Sequence, residues 1–278
     1  MEVGKGSFTA KGVAVLRIAH QLIDGDHLIL RDPVTIKLMA PGIKEYILQN
    51  RERFFQPEML ALRSHVVLRS RYAEDCLQRA YQRGVRQFVI LGAGMDTFAY
   101  RQPSWAHEMN IIEADHPASQ AEKILSLKNA GITIPENLSF VKVDLESDDL
   151  SAVFSKSVVH MDEPVFISCL GVLVYLKEKS VEKIFEFAGS FPKGSEFVFT
   201  TTQKKDLQKV TSPEIKAALT EEPWISHYEP EVLKNLLKKY GFQDISYLTA
   251  EEANRLYFSD AGTILEAPDF SSIVRAVI

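Results

Sequence analysis

The segment that decides the fold runs from Arg86 to Arg101 and reads RQFVILGAGMDTFAYR. Its first part, Arg86 to Leu91, is a short run rich in β-formers that leads without a spacer into Gly92-Ala93-Gly94. A strand ending in Gly-x-Gly lets the backbone turn tightly and approach a ligand closely, at the carboxyl edge where open α/β sheets bind cofactors. Three readings of the turn compete. A dinucleotide fingerprint calls for a third glycine at position 97, where this chain has Thr97. A Walker phosphate loop calls for Gly-Lys-Ser/Thr, which is absent after Gly94. A plain tight strand-to-helix turn needs only the two glycines.

Working outward, further β-rich runs recur at 109–114, 138–143, 164–170, 195–201, 244–249 and 271–278, with helical patterns between them at 116–130, 177–190 and 229–240. Strands alternating with helices predict a parallel sheet covered on both faces, a doubly wound α/β fold from about residue 84 to 278. The region 1–83 reads as a helical extension. It has one helix over 10–24, a break at Asp32-Pro33, short helical pieces over 34–55, and a long helix from Pro57 to about Arg83 that stops at Gly84. The stretch 203–228 lacks strand character and predicts an excursion over the sheet. Together the two parts read as one structural domain, with 1–83 as its lid.

The ends of the next two strands carry acids. Asp115 closes the second strand 21 residues after Gly94 (115 minus 94), the spacing expected of a carboxylate that accepts two ribose hydroxyls. An acid before His116-Pro117 also reads as a helix N-cap, and both roles are compatible. The third strand ends in Asp144-Leu145, an acid and an apolar side chain placed to flank a purine ring, or an ordinary strand end.

Composition narrows the function classes. The 278 residues are 46% hydrophobic and 25% charged, the profile of a globular protein, with a formal net charge of −5 that disfavours general binding to nucleic-acid backbones. Cys76 and Cys169 are too few for a disulfide framework or for the usual cysteine pairs of a zinc site, which fits a reducing, cytoplasmic setting. The seven histidines show no close ligand pairing, so no metal is expected. Apolar runs near the start are short and broken by Arg17, His20 and Asp24, so neither a leader nor a membrane span is predicted.

The segments LRSRYAEDCLQRAYQRGVRQFVILGAGMDTFAYR, IIEADHPASQAEK, FVKVDLES and ISCLGVLVYL, in this order, resemble the leucine carboxyl methyltransferase-like family of S-adenosylmethionine-dependent methyltransferases, in its bacterial O-methyltransferase branch. The resemblance covers nearly the whole chain. It implies a class I methyltransferase fold, a Rossmann-like seven-stranded sheet whose last strand, 271–278, is antiparallel. It also implies S-adenosyl-L-methionine as cofactor and S-adenosyl-L-homocysteine as product. By position Gly92, Ala93 and Gly94 match the cofactor loop, Asp115 the ribose-binding acid, Asp144 and Leu145 the pair beside the adenine, and Arg69 an arginine that holds the cofactor's carboxylate. Arg17 is a further carboxylate contact by position.

Arg69 also stands out from its surroundings. Val66, Arg69, Ala73, Cys76 and Ala80 share one helix face, so a cation lies in an apolar stripe and needs a partner, either a ligand carboxylate, a protein acid or water. Arg71, with Glu74 and Gln78, reads as solvated surface. One position departs from the family: Leu170 stands at the end of the fourth strand where relatives carry an acid, and Ser168 is the nearest polar substitute. The expected function is therefore methyl transfer to a small-molecule hydroxyl or carboxylate. A protein carboxyl terminus as acceptor, or cofactor binding without turnover, are the alternatives. His107, His116, His227 and Tyr175 are candidate bases, with none assigned as catalytic. Phe8, Phe54, Phe55, Met59, Trp224 and Tyr228 in the covering segments favour an apolar acceptor.

Overall fold

The computed structural model describes residues 8–26, 28–208, 216, 219–259, 262–268 and 270–278. The Phe8 side chain and the part of the predicted excursion at 209–215, 217 and 218 lie outside the described residues. Seven strands form a single sheet: β1 (Gln87–Leu91), β2 (Asn110–Asp115), β3 (Leu138–Lys142), β4 (Val165–Cys169), β5 (Glu196–Thr201), β6 (Asp244–Tyr247) and β7 (Ser272–Val277). Their order is β3-β2-β1-β4-β5-β7-β6. β1 to β5 run parallel, and β7 runs antiparallel to both β5 and β6, as expected for the last strand.

The central strands are buried on both faces, which is why β1, β4 and β5 read as continuous runs rather than alternating ones. On one face, α5 (Pro57–Gln82) and α6 (Pro117–Asn129) cover Phe88, Ile90, Ile111 and Phe166. On the other, α7 (Leu150–Phe154), α8 (Glu178–Gly189) and the Pro230–Lys239 helix cover Val89, Leu91, Phe197 and Phe199. Before α5 lie α1 (Phe8–Ile23), α2 (Pro33–Leu38), α3 (Ile43–Gln49) and α4 (Arg51–Phe54). They share a small core of Ile18, Ala19, Ile23, Ile47 and Phe54. Among the described residues no helix is long and apolar enough to cross a membrane.

The segment joining β1 to β2 departs from the tight strand-to-helix turn. It holds only two 3₁₀ turns, Phe98–Tyr100 and Ser104–Glu108. Two local residues explain the departure. The Asp96 carboxylate accepts the Phe98 N–H at 2.8 Å, a side-chain bond that competes with helix formation, and Pro103 interrupts the chain between the two turns. A phosphate at a helix N-terminus, the mainstay of dinucleotide folds, therefore has no helix to sit on after this turn.

Candidate functional site

Because β3, β2, β1 and β4 are parallel neighbours, their carboxyl ends meet along one edge. Gly92 and Ala93 donate N–H bonds to the Ala114 carbonyl, at 2.8 and 3.3 Å, which presses the glycine turn against the end of β2. Gly92 adopts φ +66°, and a Cβ there would run into the Val172 side chain beyond β4, so only glycine fits. Asp115 accepts the Gly94 N–H at 2.5 Å through one carboxylate oxygen and the His116 N–H at 2.6 Å through the other. A carboxylate has about four acceptor positions, so two remain for a ligand's hydroxyls. Burial pushes the Asp115 carboxyl above its usual range, against the pull of these two backbone donors. The N-cap of α6 is His116, whose Nδ1 accepts the Ala118 N–H at 3.2 Å; the N-cap role read for Asp115 falls to its neighbour.

At the next strand end, Val143 donates to the Asp115 carbonyl at 2.9 Å and holds the β3 exit beside β2. Asp144 Oδ1 accepts the Glu146 N–H at 2.9 Å, an Asx turn that fixes the carboxylate just past the end of β3. Leu145 belongs to the buried core of this face of the sheet. These positions line one edge of the sheet together with the glycine turn.

Arg69 projects from α5 toward the end of β4. A Cβ on Gly171 would meet its guanidinium, 2.5 Å from Nη1 and 2.7 Å from Nη2, so the missing side chain at Gly171 makes room for the arginine. Burial pushes the Arg69 guanidinium down to about 10, only partly offset by Tyr175 and Asp96, with Arg17 adding repulsion. It stays charged at neutral pH, and no hydrogen bond or salt bridge joins it to a described residue. Burying a cation without a paired anion is costly. Arg17 is different. Its Nη2 lies 2.6 Å from Asp32 Oδ2 and its Nη1 donates to the Met95 carbonyl at 3.2 Å, so its charge is neutralised within the protein. Leu170, where the resemblance leads one to expect an acid, packs against the apolar cluster under α5.

Several residues of this region escaped the reading of the sequence. Thr97, noted there only for not being glycine, is fully buried and bonds Arg17, Asp32 and Arg101. Glu74, grouped with solvated surface, pairs with both terminal nitrogens of Arg101 at 3.1 and 2.5 Å. Lys123 of α6 is buried with its ammonium 2.6 Å from Glu113 Oε2, on β2 opposite Ile90. Burial drives the Glu113 carboxyl up to about 7 in spite of Lys123.

Two covering segments meet above the strand ends. Glu222 accepts from the Thr9 backbone N–H and hydroxyl at the start of α1. The Ile225 and Ser226 N–H groups bond the Val174 carbonyl at 2.7 and 3.2 Å, and Trp224 Nε1 donates to the Tyr175 hydroxyl at 3.3 Å. His227 is held within this strap. Its Nε2 lies 3.3 Å from the Trp224 carbonyl and its Nδ1 lies 3.0 Å from the Thr202 hydroxyl. His107 lies before β2, at the opposite edge of the sheet. Most of the apolar residues expected to touch an acceptor pack elsewhere: Phe54, Phe55 and Met59 in the small core of α1 to α4, and Tyr228 among the phenylalanines under α8. Burial between packed elements removes their apolar surface from water.

Residues 10–189 match the family model described as leucine carboxyl methyltransferase. The chain belongs to this family. A Bacillus subtilis (strain 168) protein, YktD, which bears the name of an S-adenosyl-L-methionine-dependent methyltransferase, is 32% identical over 221 residues, covering 75% of this chain and 71% of YktD. The similarly named SCO7813 of Streptomyces coelicolor is 30% identical over 189 residues, 65% of this chain and 63% of its own length. The fold is shared with a solved methyltransferase structure from Thermobifida fusca, with TM-score 0.58 at 14% identity and coverage of 99% and 96% of the two chains. This member of the leucine carboxyl methyltransferase family is an S-adenosyl-L-methionine-dependent methyltransferase.

Proposed function

We propose that this methyltransferase acts on an oxygen atom of a small molecule, a carboxylate or a hydroxyl. The observation that carries the proposal is the roof. α1 and the 222–228 strap bond to each other through Thr9 and Glu222, and the strap bonds back to Val174 and Tyr175. A cleft closed from both sides suits an acceptor that can be enclosed, and enclosure excludes water from the reacting centre. In this reading residues 1–83 and 203–228 act as the lid. A cytoplasmic location belongs to the same reading, since Cys76 and Cys169 are kept as buried free thiols.

The cofactor supplies an electrophilic methyl group, and the chain's part is to hold and orient it. Arg69 would take its amino-acid carboxylate, a role favoured by a charged guanidinium that has no hydrogen bond or salt bridge among the described residues. Asp115 would use its two open acceptor positions on the ribose hydroxyls. Asp144 and Leu145 would flank the adenine, and the Gly92-Ala93-Gly94 backbone would face the bound molecule. His116 caps α6 and His227 is bonded at both nitrogens, which favours an acceptor that arrives already ionised. A carboxylate fits that description best.

The test is transfer of a labelled methyl group from S-adenosyl-L-methionine into fractionated cell extract. Label is expected in the small-molecule fraction. Label in protein would replace the reading with carboxyl-terminal methylation of a protein, and no label with intact binding of S-adenosyl-L-homocysteine would replace it with binding without turnover.

A further inference from the structure

The glycine turn of this protein has no helix behind it to hold it in place. Its backbone leans on β2 through Gly92, Ala93 and Gly94, and from Met95 onward its anchors are side chains. The central one is Thr97. Its hydroxyl donates to Asp32 Oδ2 at 2.8 Å and accepts from Arg17 Nη2 at 2.8 Å and from Arg101 Nε at 3.0 Å. One donor and two acceptor positions are all that a hydroxyl has, and all three are used.

The partners come from different parts of the chain. Arg17 lies on α1, Asp32 caps α2 by accepting the Thr35 N–H at 3.1 Å, and Arg101 comes just after the turn and is held from behind by Glu74 of α5. Arg17 also grips the turn directly at the Met95 carbonyl. Asp32, Thr97 and Arg17 are each at most 3% exposed, so water does not compete for these bonds.

We infer that Thr97 is a positioning residue for the cofactor. Through its hydroxyl the N-terminal helices set the glycine turn, so α1 and α2 form part of the cofactor site as well as its cover. This rests on reading the turn as the cofactor loop. Loss of the hydroxyl leaves Arg17, Arg101 and Asp32 each one bond short and frees the turn to settle elsewhere, whereas serine keeps the same three bonds available.

The experiment is calorimetric titration of S-adenosyl-L-homocysteine into the full chain, with a melting temperature for every variant. Thr97→Val is expected to bind about tenfold more weakly and Thr97→Ser within about threefold of the wild type, by the usual cost of unpaired buried polar groups. Phe187→Leu, in the core of the opposite face, should lose stability and keep wild-type affinity. Wild-type affinity in Thr97→Val overturns the inference, and so does equal weakening in Phe187→Leu. Should Thr97→Val not fold, Glu74→Gln carries the test, since it loosens Arg101 from behind; weaker binding supports the inference and unchanged binding overturns it. Asp115→Asn separates the two readings. If it weakens binding while Thr97→Val does not, only the positioning role falls; if neither does, the cofactor-loop reading falls and takes the inference with it.

Discussion

The two faces of the sheet are built from different chemistry. Under α7, α8 and the Pro230–Lys239 helix lies a nearly pure aromatic and aliphatic core, in which Phe185, Phe187, Phe191, Phe197, Phe199 and Phe242 contact one another. Under α5, α6 and the N-terminal helices the interior holds charges: Arg17 with Asp32, Arg63 with Asp24 and His20, and Lys123 with Glu113. Buried ion pairs are weak contributors to stability next to apolar packing, because desolvation offsets much of their attraction. One face therefore supplies stability. The other spends some of it on fixing a turn, a cation and the ends of three strands.

Three changes probe that division. The largest effect is expected from Phe185→Ala, which opens a cavity in the aromatic face at a cost of about 3–5 kcal/mol; denaturant unfolding should show it, while the folded fraction keeps its affinity for S-adenosyl-L-homocysteine. A loss of affinity on the same scale would mean that the faces are not separable. Next comes Arg69→Ala, expected to weaken S-adenosyl-L-homocysteine binding by about 1–3 kcal/mol with the melting temperature unchanged or raised, since the cation it removes has no hydrogen bond or salt bridge among the described residues. A large fall in melting temperature would show that Arg69 is a structural cation like Arg17. The smallest is a pH effect at Glu113. Its carboxyl is raised to about 7 by burial, against Lys123, so between about pH 4.5 and 7 the folded protein binds a proton that the unfolded chain lacks. Stability should therefore fall as pH rises through that window, and Glu113→Gln should flatten the slope in urea titrations at a series of pH values.

Acidification acts in the opposite direction on the N-terminal helices. Burial works to raise the carboxyls of Asp24 and Asp32, but His20 and Arg63 around the first, and Arg17 and Arg101 around the second, hold both below the ordinary value. Their contribution is present above about pH 3.8 and is lost as pH falls below it. The attachment of α1 and α2 is thus weakened by acid.

Much of this architecture was legible in the chain itself. All seven strands and the helices α1, α5, α6 and α8 are set by local periodicity, by Pro57 and Pro117 at helix starts and by apolar runs buried on both faces. The edge occupied by Gly92, Gly94, Asp115 and Asp144 was legible as well, because parallel strands carry their terminal residues to one side. The absent helix after the glycine turn was not: the signals of Asp96 and Pro103 are local, but the two glycines fit a strand-to-helix turn equally well.

What the sequence determined by itself is whatever depends on neighbours along the chain, namely where strands and helices begin and which residues stand at their ends. What only the tertiary structure decided is the meaning of single polar side chains. Thr97 finds Asp32 65 residues away and Arg17 80 residues away, and Arg101 finds Glu74 across 27. A hydroxyl or a carboxylate looks the same in sequence whether it faces water or three buried charges. Its role is set by desolvation and by the partners the fold brings within bonding distance, and Arg69 shows the same rule from the other side, buried without a hydrogen bond or salt bridge among the described residues.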